Sequence, residues 1–198
     1  MSQPLYLDFD SPIYINHIQN TACYTSILVA ELAKSVPSIT DEFQQAVILG
    51  AKWHDIGKKF IPKSILSSPN KLNRHQFLLM KKHPELGLTY FNQVPHECDD
   101  KTAEIVRDII LYHHEKYDGS GYPLGLSEND IPLAARIVTI ADVFEALTTS
   151  NRTYREANSF DNVKQHIIDE RGKSFDPTIV DAFLNSAAQW QQQLKDFS

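Results

Sequence analysis

Residues 105–114 read IVRDIILYHH. Two apolar stripes run along this stretch at helical spacing, and each ends on a histidine. Ile105 and Ile109 lead to His113; Val106 and Ile110 lead to His114. A buried helix face that finishes on adjacent imidazoles is costly unless something uses them. The pattern recurs. Phe43, Val47 and Gly50 step along one face to His54, with Asp55 about 100° further round. Ala135 and Val138 lead to Asp142 and then Glu145, a carboxylate pair three residues apart on an apolar face. His83 stands just before Pro84, where a helix can begin.

Each of these residues alone has an ordinary explanation. An inward histidine is more often hydrogen-bonded core than ligand, an Asp–Glu pair is usually a solvated face, and His83 is placed to cap. Four such sites in one small helical chain make independent ordinary explanations improbable. Imidazoles and carboxylates without thiolates suit iron, manganese or zinc at a working site. An aspartate has two oxygens and can bridge two ions, an arrangement that activates a nucleophile at neutral pH and clamps phosphoryl oxygens. Adjacent histidines leave a helix end at different angles, so they can serve two ions or two sides of one cluster.

The fold class follows from periodicity. Helices are expected over about 17–35, 41–55, 99–114, 133–150, 161–170 and 177–194, with two short ones split at His83–Pro84. Strand-like alternation is nearly absent. Two loops, 57–73 and 115–132, carry the Gly and Pro residues that break helices. The expectation is all-α, one helical bundle over residues 1–198. Composition narrows the partners. The net charge of −6 argues against a nucleic-acid or membrane-surface binder, and so against DNA, but permits a small anion held by local cations. The two cysteines, Cys23 and Cys98, have no metal-ligand spacing, which fits a reduced, cytoplasmic setting. The opening residues have no signal-peptide pattern, and no apolar run reaches membrane-spanning length.

The chain resembles the HD-GYP family, a branch of the HD superfamily of metal-dependent phosphohydrolases. The matching words are HDIGK at 54–58, KHPELG at 82–87, HHEKYDGSGYP at 113–123, IPLAARIVTIADVFEALT at 131–148 and FDPTIVDAF at 175–183. The resemblance covers about residues 22–185, and its motifs are in order and correctly spaced, which makes a chance match far less plausible than for one short motif. The resemblance implies an all-helical fold and hydrolysis of cyclic di-GMP, or a related small nucleotide, to pGpG, GMP or both. It implies His54, Asp55, His83, His113, His114 and Asp142 as ligands of two divalent transition-metal ions, iron or manganese, with Asp55 bridging. Glu145 looks like the residue of members that hold a third ion. Lys58 would stabilise charge on the phosphoryl group. Tyr122 would contact the ligand, and Arg152 and Arg155 would grip a second phosphate or a guanine edge.

The first helix departs from the family pattern. Aligning TACYTSILVAELA on VAELA sets Thr25 where a metal-binding histidine is usual, and Thr21 where some members carry Glu. His17 lies eight residues earlier, about 12 Å along a helix, and reads as surface or cap. Thr25 would therefore cost one ion a ligand, with water or Tyr24 as a substitute. A second departure is LTTSNRTY, one residue longer than usual and with Thr153 at a usual Pro, which affects the reach of Arg152. Two expectations compete: a cyclic di-GMP phosphodiesterase impaired at one metal position, and a catalytically degenerate relative that binds cyclic di-GMP or a partner protein. A third, phosphohydrolysis of another nucleotide, is disfavoured by the GYP loop. The length leaves little room for the regulatory domain usual in this family, so control is expected from a partner protein, expression or metal supply.

Overall fold

The structure is a computed structural model that describes residues 12–68, 70–149 and 157–197. Ten α-helices account for most of them: α1 Pro12–Ala33, α2 Asp41–Trp53, α3 Lys63–Leu66, α4 Arg74–Met80, α5 His83–Gln93, α6 Asp100–Tyr112, α7 Leu133–Thr148, α8 Phe160–Asp169, α9 Pro177–Asn185 and α10 Ala187–Asp196. Two 3-10 turns, Ile56–Phe60 and Glu128–Asp130, complete the order. Extended pairing among the described residues is limited to two isolated bridges, so the all-α expectation holds. No helix among them is long and apolar enough to cross a membrane.

Helix starts follow their capping residues. The Thr40 side chain accepts the Phe43 amide at α2, Asn73 and Gln76 form a reciprocal capping box at α4, and Asp99 accepts two amides at α6. The centre of the bundle is α7, with ten of sixteen residues buried around nearly its whole circumference. A helix apolar on all sides has to be surrounded, and α1, α6, α8 and α9 pack against it. α2 lies against both α1 and α6. A smaller apolar cluster, Phe91, Ala103, Val106 and Ile110, ties α5 to α6.

Three local expectations change. The first helix begins at Pro12, so His17 lies inside it rather than at its start. The segment 57–73, expected as loop, contains the first 3-10 turn and α3, short elements placed around Gly57 and Pro62 that periodicity does not reveal. The expected single helix over 177–194 breaks at Ser186. There the Ser186 hydroxyl donates to the Ala182 carbonyl at 2.8 Å and accepts the Trp190 indole N–H at 3.1 Å. This turn seats Trp190 in the core, stacked on Tyr24 with ring centroids 4.9 Å apart and in edge contact with Phe144 and Phe183.

Candidate metal centre

Five elements deliver these polar side chains to one end of the bundle. His54 and Asp55 follow α2, Lys58 lies in the 3-10 turn, His83 opens α5, and His113 and His114 close α6; Asp142 comes from α7. The turn that carries Asp55 must press against the start of α5. Gly57 permits this: a Cβ there would stand 1.8 Å from the His83 carbonyl oxygen and 2.5 Å from the Gly87 nitrogen. The end of α6 is tied to α7 by the Thr139 hydroxyl, which donates to the His113 carbonyl at 2.8 Å.

Asp55, 1% exposed, is the centre of the group. Its Oδ1 lies 3.3 Å from His83 Nε2 and 3.8 Å from His113 Nε2. Its Oδ2 lies 3.3 Å from His17 Nε2 and 3.4 Å from His54 Nε2, and receives a hydrogen bond from the Lys58 ammonium. Two donor sets result, Asp55 with His83, His113 and His114, and Asp55 with His17 and His54. Asp142 Oδ1 joins the second, 3.5 Å from His17 Nε2 and 3.6 Å from His54 Nε2.

The backbone fixes which nitrogen each ring presents. A carbonyl oxygen only accepts, so the Nδ1–H groups of His54, His83 and His113 donate to Ala51, Met80 and Ile109 at 2.7, 2.9 and 3.0 Å. The Nε2 atoms are left facing inward. His83 Nε2 and His113 Nε2 are 3.3 Å apart, with Asp55 Oδ1 beside them. Three lone pairs converging in a buried place repel one another unless a cation lies among them. His54 Nε2, His17 Nε2 and Asp55 Oδ1 are buried without a hydrogen-bond partner. The residues fit divalent ions: neutral imidazoles locked by outer hydrogen bonds, with a shared carboxylate, are the usual donor arrangement.

Charge behaviour agrees. Burial and the neighbouring imidazoles hold His113 well below its usual value and His114 down to about 3, so both stay neutral. Burial also pulls on His17 and His54. Yet hydrogen bonds and charge from Asp55 with Glu145, and from Asp55 with Asp142, push them up to about 9 and about 10. Asp55 is likewise driven well below the usual carboxylate range, against its burial, by Lys58 and His54. Asp142 is lowered against its burial by His54 and His17. The carboxylates hold a cation on this side, and either a proton on imidazole or a metal ion meets that demand.

His17 corrects the sequence-based expectation. It is neither surface nor cap: its side chain is 18% exposed and lies among Asp55, Asp142 and Glu145. Thr25 is fully buried two turns away on the same helix, its hydroxyl without a partner, and Tyr24 belongs to the aromatic core. The first helix thus does supply an imidazole. The stripe Leu32, Leu28, Thr25, Thr21 leads back to it in steps of four or three, a signal readable once the helix is extended to Pro12.

Glu145 is 3% exposed and its Oε2 lies 2.5 Å from His17 Nδ1. Tyr122 stacks on His114 with centroids 4.7 Å apart. Two residues near it went unnoticed in the sequence. The Glu115 carboxylate, 2% exposed, accepts the amides of Leu124 and Gly125 at 2.7 and 3.0 Å and so holds the Tyr122 loop. Lys81 Nζ lies 4.7 Å from the Tyr122 ring centroid. Arg152 and Arg155 lie outside the described residues.

A family model described as HD domain matches residues 13–179. A probable cyclic di-GMP phosphodiesterase of Vibrio cholerae is 39% identical over 178 residues, covering 85% of this chain and 39% of that protein. The cyclic di-GMP phosphodiesterase response regulator RpfG of Xanthomonas campestris is also 39% identical, covering 86% of this chain and 44% of that protein. The chain therefore spans about two fifths of the length of these curated relatives. Among solved structures, an HDG"Y"P protein from Bdellovibrio bacteriovorus, Bd1817, superposes with a TM-score of 0.61 at 27% identity, covering 90% of this chain and 52% of that one.

Proposed function

The chain belongs to the HD domain family, in its HD-GYP branch, and on that premise we propose that it is a phosphodiesterase hydrolysing cyclic di-GMP to pGpG, GMP or both. The observation that carries the proposal is the division of Asp55: one oxygen faces His83 and His113, the other His17, His54 and Lys58. His83, His113, His114 and Asp55 would hold one divalent ion; His17, His54, Asp142 and Asp55 a second. Iron or manganese suits these nitrogen and oxygen donors. Bound ions of this kind supply Lewis-acid stabilisation of a phosphoryl group.

The chain's own residues contribute orientation and charge. Carbonyl-anchored imidazoles keep their Nε2 atoms in place, so no reorganisation is needed when a phosphodiester enters. Lys58, half-buried beside Asp55, is placed to donate to a non-bridging phosphoryl oxygen as charge builds on it. Opening the cyclic dinucleotide breaks a P–O3′ bond, adds the oxygen of water to phosphorus and leaves a 5′-phosphate. Tyr122, held by the Glu115-anchored loop, offers an aromatic edge to the nucleotide. Arg152 and Arg155 are assigned to a second phosphate or a guanine edge.

The non-catalytic alternative rests on Thr25; the imidazole of His17 on the same helix, 3.3 Å from Asp55, speaks against it. Control by a protein partner and a cytoplasmic setting, which accords with the free thiols Cys23 and Cys98, belong to the same proposal. The test is incubation of protein loaded anaerobically with ferrous iron or manganese with cyclic di-GMP, followed by chromatography. Formation of pGpG or GMP is expected. A loaded protein that leaves the dinucleotide intact would refute the proposal.

A further inference from the structure

Glu145 follows Asp142 by three residues on α7, so both carboxylates face the same end of the bundle. Their surroundings differ. Asp142 Oδ1 faces the Nε2 atoms of His17 and His54, the inward atoms of the centre. Glu145 Oε2 instead meets the outer nitrogen of His17, Nδ1, at 2.5 Å, and its Oε1 accepts the Thr149 hydroxyl at 2.9 Å. Both oxygens are therefore engaged. Glu145 is also absent from the donor groups formed by His17, His54 and Asp55 and by Asp55, His83, His113 and His114. The imidazoles of His54, His83 and His113 are oriented by backbone carbonyls. His17 lies in the second turn of α1, and Glu145 occupies the corresponding place at its Nδ1.

We infer that Glu145 is a positioning residue for His17: it accepts the Nδ1–H and so presents Nε2 to Asp55 and Asp142, and the centre takes two divalent ions rather than three. A carboxylate behind a ligating imidazole fixes the tautomer and the ring plane and strengthens the donor. A third ion on Glu145 would have to displace both hydrogen bonds of a buried carboxylate. The inference rests on the proposal that this end of the bundle holds divalent metal.

The test measures metal content and affinity in the full chain, independent of turnover. Manganese titration with equilibrium dialysis should give two equivalents for the wild type. In Glu145→Ala the maximum should remain two, with the dissociation constant of one ion raised about 10- to 100-fold and that of the other unchanged. Glu145→Gln keeps an acceptor for Nδ1–H and nearly the same volume, so it should fold and recover most of the affinity. Ring nitrogen NMR on zinc-loaded protein should show His17 protonated at Nδ1 and ligating through Nε2. Three equivalents in the wild type falling to two in either variant would overturn the inference and leave the proposed function standing. Ligation through Nδ1 would also overturn it. A wild type that binds no metal would overturn both.

Discussion

Gly57→Ala isolates the contact on which the centre depends. A methyl group at this position would lie 1.8 Å from the His83 carbonyl oxygen and 2.8 Å from its carbonyl carbon. These are backbone atoms at the start of α5 and have no rotamer to move into. Contacts under 3.0 Å are essentially unobserved for a real Cβ, so the two elements must separate by about 1.2 Å. The separation acts directly on the 3.3 Å approach of His83 Nε2 to Asp55 Oδ1. Overpacking of this kind costs about 1–3 kcal/mol, and contact with backbone argues for the upper half. For a chain of this length each kcal/mol lowers Tm by about 2–4 °C, so a fall of about 4–12 °C is expected in apo protein. The same variant should hold metal more weakly at the ion shared by His83 and Asp55. Calorimetry and metal titration of the variant read both effects. A variant with wild-type Tm and wild-type affinity would show that the close approach of the turn to α5 does not assemble the centre.

Other substitutions probe the remaining assignments. His17→Ala should lower metal content while leaving the helical circular dichroism spectrum intact, and Thr25→Val should leave metal content unchanged. Because the Thr25 hydroxyl is buried without a partner, the isosteric Val variant should gain about 0.5–1 kcal/mol by denaturant unfolding; a loss of metal in it would restore Thr25 to the site. Lys58→Ala should cut cyclic di-GMP turnover about 100-fold or more with both ions retained, and metal loss would reveal a structural role instead. Lys81→Met should raise KM for the dinucleotide more than it lowers kcat, because Lys81 stands over the Tyr122 ring; an unchanged KM would remove Lys81 from the binding face.

The sequence made the inward course of α2, α6 and α7 legible because each carries an apolar stripe long enough to fix its phase before the polar residue arrives. His54, His113 and Asp142 were found that way, and the structure brings them to one end of the bundle. His17 escaped because the stripe on α1 passes through Thr21 and Thr25, whose hydroxyls interrupt the apolar signal, and because the helix was expected to begin at His17 itself. Alignment on VAELA points to Thr25, a position two turns from His17 on the same helix. At the end of α9 the Ser186 hydroxyl accepts the Trp190 indole N–H from four residues on, a side-chain hydrogen bond that hydrophobic periodicity does not register. Glu115 and Lys81 act across loops, on Leu124 and on Tyr122. Contacts of that range are set by the fold and not by spacing along the chain.

Anomalous diffraction from crystals of iron-loaded protein, collected on both sides of the iron edge, tests the metal centre most directly. Two peaks are expected, one among His83, His113 and His114 and one among His17, His54 and Asp142, with Asp55 between them. A map without a peak beside Asp55, or with density confined to surface carboxylates, would contradict the shared-carboxylate centre from which the rest is derived.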